Sequence, residues 1–315
     1  IRDSRNANTN QAQEALEIYL QLSRDALAGK PKPEILLWPE SAVPVPYRST
    51  HSVSFLFRIG LQNLILQSGV PMLIGAIDFE DKLPGSATPS GMTNSALFFN
   101  HRGRLRHKYD KIHRVPYGEY IPFRRCLPGF IVRMIDMNRD LVPGADYNPI
   151  EVRSDVRAGT AICYEGVFGY LTREFARRGA NVLVVLSNDA WYPKSSEPEQ
   201  HLANATLRAV ETGLPMVRCG NNGGSLVVTP YGRITQVLTV DGPEQRPELR
   251  RGRGVKTLAV GVEPSPSYTF YVRHGEWFIA VLAAVEAVFW LAAFAGFKKR
   301  KQALLDAIRR PGAGS

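Results

Sequence analysis

One apolar segment close to the C-terminal end most strongly limits what this chain can fold into. From Trp277 to Phe297 the residues are apolar apart from the single charged residue Glu286. A helix needs about 20 such residues to cross the hydrocarbon core of a bilayer, and aromatic residues stand at both ends, as they do at membrane interfaces. The alternative is a buried core helix of a soluble protein. The basic run directly after the segment favours a transmembrane helix.

This segment divides the 315-residue chain into three predicted parts. Residues 1–272 have the length and composition of one large α/β domain, residues 273–297 are a transmembrane helix, and residues 298–315 are a basic tail. Because positive charge stays on the inner side of a membrane, the tail is predicted to be cytoplasmic. The large domain then lies on the periplasmic face of a bacterial inner membrane.

The net charge of +10 raises the question of a nucleic-acid partner. Much of the excess charge is concentrated behind the apolar segment, and no stretch resembles a nucleic-acid-binding module. We therefore interpret this cluster as a topology signal and expect no nucleic-acid partner. The clustered residues are Lys298, Lys299, Arg300, Lys301, Arg309 and Arg310.

The chain has three cysteines, of which Cys163 has the most informative surroundings. It follows the apolar run from Val156 to Ile162, and a helical pattern begins directly after it. A thiol at such a junction is held rigidly, and the positive end of a helix favours the thiolate. The alternative is an inert core cysteine. Cys126 and Cys219 show no metal-ligand or disulfide spacing with it, so no metal and no cofactor are predicted.

Two further segments end in residues that suit acyl-transfer chemistry. Glu40 follows the apolar strand Ile35–Trp38 and Pro39, which cannot continue a central ladder. Lys111 follows a predicted hairpin that turns at Gly103. In α/β sheets the chemistry gathers at the carboxyl ends of strands, where a carboxylate could take a thiol proton and a lysine could stabilise an oxyanion. The alternative for both residues is a solvated charge at a loop mouth.

Taken together, these segments resemble the nitrilase superfamily and, more specifically, the apolipoprotein N-acyltransferases, which N-acylate bacterial lipoproteins. The resemblance runs over about residues 30 to 275. The stretches that carry it are Trp38-Pro39-Glu40, Val115-Pro116-Tyr117-Gly118-Glu119, Cys163-Tyr164-Glu165, Ser187-Asn188-Asp189-Ala190-Trp191-Tyr192, Gln200-His201-Leu202 and Arg208-Ala209-Val210-Glu211.

The resemblance implies an α/β fold, a nitrilase-like α-β-β-α sandwich, followed by one C-terminal transmembrane helix. It also implies a catalytic triad in which Glu40 is the general base, Lys111 stabilises the oxyanion and Cys163 is the nucleophile. The supporting residues that it implies are Glu119, Tyr164 and Glu165.

The implied reaction transfers a fatty acyl group from a phospholipid, through a cysteine thioester, to the N-terminal amine of a diacylglyceryl apolipoprotein. It needs neither ATP nor a metal, and the protein is expected to be a monomer in the membrane. Family members carry a transmembrane bundle ahead of the catalytic domain. This sequence begins at Ile1 without one, so we expect it to be a part of a longer protein.

Two other functions remain open from the sequence. The first is a membrane-tethered amidase that uses the same triad but admits water and hydrolyses small C–N bonds. The second is a catalytically silent interaction domain. The segment Pro122–Met137 also has two interpretations: ordinary packing, or a loop that dips into lipid and guides acyl chains towards Cys163.

Overall fold

A computed structural model describes residues 9–81, 91–135, 140–191, 195–221, 224–238 and 254–309. The chain forms two compact units, Ile1–Val272 and Arg273–Ser315. The helices are α1 (Thr9–Ala28), α2 (Ser52–Ser68), α3 (Gly129–Met134), α4 (Gly169–Arg177), α5 (Glu197–Thr212), α6 (Phe270–His274) and α7 (Trp277–Arg309). The strands are β1 (Leu36–Val43), β2 (Met72–Phe79), β3 (Met92–Phe99), β4 (Leu105–Asp110), β5 (Ile150–Arg153), β6 (Val156–Ile162), β7 (Val182–Ser187), β8 (Met216–Gly220), β9 (Leu226–Val228) and β10 (Ile234–Val237). Short 3-10 turns lie at Arg124–Cys126, Cys163–Val167 and Asp189–Trp191.

The strands of the described residues form two mixed sheets. The first has the order β1-β2-β3-β4, with β1 and β2 parallel and the other pairs antiparallel. The second has the order β10-β9-β8-β7-β6-β5, in which β6, β7 and β8 run parallel. The helix α4 connects β6 to β7 and α5 connects β7 to β8, so the parallel strands end together at one edge.

The two sheets pack face to face, and helices cover their outer faces. Successive residues of a strand point to opposite faces of its sheet, so one strand contributes side chains to two cores. On β2, Leu73 joins the core that is shared with the second sheet and α4, whereas Met72 and Ile74 join the core beneath α1 and α2. On β3, Phe98 belongs to the first of these cores and Leu97 to the second. The result is the predicted sandwich of two sheets between helical layers.

The apolar run Val255–Val262 predicts a further strand, and this prediction is wrong. These residues are extended without pairing to a strand of the described chain. The side-chain amide of Gln236 takes the place of a ladder partner: its Nε2 donates to the Ala259 oxygen at 2.5 Å, and its Oε1 accepts from the Ala259 N–H at 2.9 Å. Val260 and Val262 pack against the core, which explains why the run is apolar.

The second unit contains α7, which is longer than the predicted span. The helix does not end at Phe297 but continues through the basic residues to Arg309, and residues 310–315 lie outside the described part. The stretch Trp277–Asp306 is long and apolar enough to cross a membrane. Within it, Trp290 Nε1 donates to Glu286 Oε1 at 3.4 Å, one helical turn away. This bond gives the carboxylate a partner on its own helix.

Candidate active site

Cys163 lies where β6 ends and the chain turns sharply. Its φ of +52° is in the left-handed region, which costs a residue with a side chain about 1–3 kcal/mol. Such strain at a strand-to-turn junction is common where a nucleophile is presented to a substrate. The backbone N–H of Asn188 contacts the sulfur from the end of β7. The thiol is therefore fixed between two parallel strands.

The helix-end argument for a resting thiolate is wrong. A 3-10 turn follows Cys163, and α4 begins only at Gly169. Burial raises the pKa of the Cys163 thiol well above 9.0, and the nearby Glu40 carboxylate raises it further. The Lys111 ammonium acts in the opposite direction but does not outweigh these effects. The resting sulfur is a neutral thiol that needs a base.

Glu40 reaches this thiol from a bulge in β1. The strand does not stop at Pro39, as predicted, but its ladder with β2 is interrupted between Trp38 and Val43, where pairing resumes. Proline has no N–H to donate, so the irregularity falls at that residue. Gly75 on β2 permits the bulge, because a Cβ there would lie 2.5 Å from the Glu40 Cα.

Lys111 and two carboxylates form a buried cluster at the end of β4. Lys111 Nζ lies 3.1 Å from Glu119 Oε1 and 3.5 Å from Glu40 Oε1. Asn94 joins the two acids, since its Nδ2 donates to Glu40 Oε1 and to Glu119 Oε1 at 2.8 Å each. An ammonium has three donors, so one N–H of Lys111 remains for an oxygen of a substrate.

The two carboxylates of this cluster are tuned in opposite directions. Burial raises the pKa of Glu40 above its ordinary value of 4.5, and the charge of Glu119 adds to this effect although Lys111 opposes it. Burial acts the same way on Glu119, but Lys111 and Asn94 outweigh it and hold the pKa of Glu119 below 4.5. Glu119 is thus the permanent counter-ion of Lys111, and Glu40 is the more basic carboxylate.

One oxygen of Glu40 is free for proton transfer. Its Oε2 is buried and accepts no regular hydrogen bond from the described residues. The Cys163 thiol lies close enough to lower the pKa of this carboxylate. A buried carboxylate oxygen without a donor, beside a protonated thiol, is the arrangement expected of a general base and its nucleophile.

Glu165 organises the backbone of the site from below Cys163. It is fully buried, and its oxygens accept hydrogen bonds from the Tyr109 hydroxyl at 2.9 Å and from the N–H groups of Ile112 (2.7 Å), His113 (2.9 Å) and Ile162 (2.8 Å). Burial raises the pKa of Glu165 to about 7, while Lys111 and these donors pull it down. The side chain joins the loop of Lys111 to the strand of Cys163.

We predict that Glu165→Gln destabilises the fold by about 2–3 kcal/mol, because an amide NH2 would face N–H donors and leave them unsatisfied. The measurement is the midpoint of thermal unfolding. Glu174→Gln is the control, since Glu174 pairs with Arg178 on the surface and such pairs contribute less than about 1 kcal/mol. Equal midpoints for the two variants would contradict the assigned role of Glu165.

Tyr164, the remaining predicted residue, belongs to an aromatic cluster. Its ring lies edge-on to Phe168 at 5.0 Å and 5.8 Å from His113, which stacks on Phe168 at 3.7 Å. The cluster packs the turn after Cys163 against the loop after Lys111. Tyr164 therefore has neighbours in both segments that carry the polar groups of the site.

A second polar network lies in the turn after β7. The Asp189 carboxylate accepts from Ser187 Oγ at 2.6 Å, from Arg218 at 2.6 Å and from His201 Nδ1 at 3.4 Å. Burial opposes ionisation of Asp189, but His201, Arg218 and Ser187 outweigh it and lower its pKa. Sequence reasoning gave Asp189 and His201 no role and did not identify Asn94 or Arg218. The signal available was weak: a polar residue inside an apolar strand, as Arg218 is in β8.

The donor atoms near Cys163 also raise the possibility of a metal. The Cys163 sulfur, an oxygen of Asp189 and a ring nitrogen of His201 lie within 4.8 Å of one another. Both Asp189 oxygens, however, already accept hydrogen bonds from protein groups, and the Arg218 guanidinium pairs with one of them. The chemistry of this set fits a hydrogen-bonded charge network better than a cation site.

One large cavity lies away from the place where these side chains meet. A space of about 1670 Å³ opens among α1, β1 and the segment 254–262, and its lining includes Tyr19, Leu37 and Cys219. None of Glu40, Lys111 and Cys163 lines it. The Cys219 thiol in its wall is half-buried, and desolvation raises its pKa to about 12, which makes it a poor nucleophile.

Comparison with known proteins is consistent with this geometry. Residues 4–244 match the carbon-nitrogen hydrolase family. The chain is 36% identical over 260 residues to an apolipoprotein N-acyltransferase of Brucella suis, covering 81% of this chain and 44% of that protein. It is 31% identical over 288 residues to that of Geobacter metallireducens, covering 90% and 50%. The chain thus spans about half the length of the curated relatives it matches.

Solved structures show the same fold at low identity. A carbon-nitrogen hydrolase from Helicobacter pylori aligns with a TM-score of 0.51 at 18% identity, over 71% of this chain and 79% of that one. An amidase from Nesterenkonia sp. aligns with a TM-score of 0.52 at 20% identity, over 73% and 81%. The nitrilase-like α/β architecture is confirmed.

Proposed function

Because the chain belongs to the carbon-nitrogen hydrolase family, we propose that its buried Glu–Lys–Cys cluster forms an acyl-enzyme and that the protein is an apolipoprotein N-acyltransferase. The acyl donor is a phospholipid, and the acceptor is the N-terminal amine of a diacylglyceryl-cysteine. The observation that carries this choice of substrate is the identity of 31–36% to proteins of that name over 81–90% of the chain.

The first step forms a thioester on Cys163. Glu40 Oε2 takes the thiol proton as the sulfur attacks the ester carbonyl of the phospholipid. The free N–H of Lys111 donates to the oxyanion of the tetrahedral intermediate. The C–O bond then breaks, and the proton held by Glu40 passes to the leaving oxygen of the lysophospholipid. Glu119 keeps Lys111 charged throughout, because the adjacent carboxylates raise the lysine pKa.

The second step moves the acyl group to the lipoprotein. The amine attacks the thioester, the same lysine stabilises the second oxyanion, and the C–S bond breaks. Glu40 accepts a proton from the amine, and the sulfur departs as a thiolate that is reprotonated. An ester and an amine become an alcohol and an amide, so the reaction needs no added energy source. The site returns to its resting state with Glu40 ionised.

The hydrolytic alternative uses the same residues but differs in the acyl donor and in the acceptor. A membrane-tethered amidase would form a thioester from a small amide and release its acyl group to water. The identity to the amidase from Nesterenkonia sp. is 20%, which supports the shared fold and not a shared substrate. The long apolar helix α7 and the exposed side chains described next favour a lipid donor.

Several apolar side chains of the segment 122–135 face solvent. Phe123 is 82% exposed, Phe130 59% and Met134 80%, which disfavours ordinary packing as the reason for their character. Residues 136 and 137 of the predicted loop lie outside the described part. Exposed apolar groups in this number mark contact with a membrane or a partner. We assign the segment to the membrane surface, where it would guide acyl chains to the site.

The proposed function is tested by mass spectrometry after incubation with phospholipid vesicles. We expect a mass gain of one fatty acyl group that hydroxylamine removes, and loss of this adduct when a diacylglyceryl-cysteine peptide is added. The peptide should gain the same acyl group as an amide. Acylation of the protein by a small amide, with release only to water, would instead favour the amidase.

We propose that the first unit lies in the periplasm and the basic end of α7 in the cytoplasm. Arg102 is exposed in the turn between β3 and β4, so a cysteine introduced by Arg102→Cys should react with a membrane-impermeant maleimide in intact spheroplasts. A cysteine introduced by Gln302→Cys should react only after the membrane is permeabilised. Protection at position 102 together with open labelling at position 302 would reverse this orientation.

The raised pKa of Glu40 predicts where activity is lost on acidification. The base must be ionised, so the acylation rate should fall as the pH drops through a value above 4.5. Asn94→Leu removes a hydrogen bond that favours the carboxylate and should move this acidic limb to higher pH. Thr93→Val on the opposite face of β3 is the control and should leave the limb in place. Rates of Cys163 acylation measured across pH decide between these outcomes.

A further inference from the structure

The charge network around Asp189 has no part in the steps described above, although it borders the reacting sulfur. Cys163 Sγ lies within 4.8 Å of an Asp189 oxygen and of a ring nitrogen of His201. The negative charge of Asp189 is one of the effects that raise the pKa of Cys163. An uncompensated carboxylate here would work against formation of a thiolate.

His201 is positioned to compensate that charge. Its Nδ1 lies 2.9 Å from Glu197 Oε1 on the same helix and 3.4 Å from Asp189 Oδ1. Burial favours the neutral ring, but the two carboxylates outweigh it and raise the pKa of His201 to about 9. The ring is therefore an imidazolium at neutral pH. Its side chain is only 12% exposed, so water screens its charge weakly.

Several ionisable groups set the balance of charge around His201 and Cys163. Glu197 on α5, Asp189 in the turn after β7, and Cys163 and Tyr164 in the turn after β6 face or contact the imidazole. Glu40, Lys111 and Asp189 act on the thiol. Arg218 also pairs with Asp189, at 2.6 Å from its other oxygen.

We propose that His201 is a positioning residue whose imidazolium neutralises Asp189 beside Cys163 and so stabilises the thiolate that Glu40 generates. The inference deepens the proposed function and rests on the assignment of Cys163 as the nucleophile. The histidine takes no proton from the thiol and forms no bond to the acyl group. Its effect is on how much thiolate exists at a given pH.

The test is the rate of Cys163 alkylation by iodoacetamide at fixed pH, read from its peptide by mass spectrometry in the absence of phospholipid. His201→Gln keeps a polar side chain but loses the charge. We expect a thiol pKa at least about one pH unit higher, which means about tenfold less thiolate. Because a thiolate of higher pKa is also more nucleophilic, the rate should fall by about threefold to tenfold.

Two variants separate charge from structure. His201→Arg retains a cation and should alkylate within about twofold of the natural protein. His101→Gln changes an exposed histidine in the turn between β3 and β4, so its loss should leave the rate within about twofold. Exposed Cys126 calibrates the reagent, and fast labelling of Cys219, whose pKa is raised by desolvation, would reveal unfolding.

A rate for His201→Gln within twofold of the natural protein overturns the proposal. If that variant unfolds, His201→Arg decides: a folded arginine variant that alkylates at least threefold more slowly overturns the proposal, and an unchanged rate supports it. Because alkylation requires no phospholipid, failure of the vesicle experiment with a normal His201 effect would remove the proposed acyl donor and leave this inference standing.

Discussion

Cys163→Ala should abolish formation of the acyl-enzyme, leaving no mass gain after incubation with phospholipid vesicles. The reason is chemical: a methyl group cannot attack an ester, and the neighbouring side chains supply a base and an oxyanion donor but no nucleophile. Transfer to a diacylglyceryl-cysteine peptide should fall to the background of a reaction without enzyme.

The two other cysteines provide matched controls for this result. Cys219→Ala removes a half-buried thiol whose sulfur lies 3.7 Å from the Leu37 oxygen, and Cys126→Ala removes an exposed one. Both variants should keep the hydroxylamine-sensitive adduct. An adduct that persists in Cys163→Ala and disappears in Cys219→Ala would show that the nucleophile is Cys219 on β8 and would refute the mechanism.

Lys111→Met should slow acylation by at least about 100- to 1000-fold, the usual cost of removing one oxyanion donor. Methionine has a similar length, so the change removes the charge with little change in volume. The loss has a second cause, since Glu40 and Glu119 would then share Asn94 without a cation between them. Repulsion between the two carboxylates would raise the pKa of Glu40 further, so that Glu40 would ionise only at a higher pH.

Lys108→Met is the control for Lys111, because Lys108 lies three residues earlier and pairs with Asp110 at 2.5 Å. We expect its acylation rate to stay within about threefold of the natural protein, since Lys108 pairs with Asp110, whereas Glu40 and Glu119 pair with Lys111. Single-turnover rates of thioester formation are the measurement. Similar rates for the two lysine variants would show that the ammonium of Lys111 does not stabilise the transition state.

Local sequence patterns predicted much of the fold correctly. The helical period of the apolar residues from Ala15 to Ala26 predicts a helix over Thr9–Ala28, and α1 has those bounds. Gly69 ends α2 in the left-handed conformation that glycine favours. These features depend on residues within one or two helical turns of each other. The strand predicted at Val255–Val262 was wrong because the pairing of a strand depends on a partner that is distant in sequence. Here that partner is the side chain of Gln236.

The residue types of the candidate site were predictable from the sequence, but the hydrogen bonds that connect them were not. Residues at the ends of strands indicated a carboxylate, a lysine and a thiol, and the resemblance supplied their expected roles. Nothing local indicated that Asn94 joins two carboxylates, or that Arg218 and His201 hold Asp189. Each of these bonds connects residues that are adjacent only after the strands assemble.

The sequence by itself determined most helices and strands, the residue types at the ends of the strands and the apolar helix α7. These features follow from local periodicity and composition. Only the tertiary structure decided the protonation of the site. The pKa of Cys163 is raised where the sequence suggested that it would be lowered, since burial and the charges of Glu40 and Asp189 outweigh the end of a short turn. Desolvation and charge act through space, and a linear sequence contains no distances.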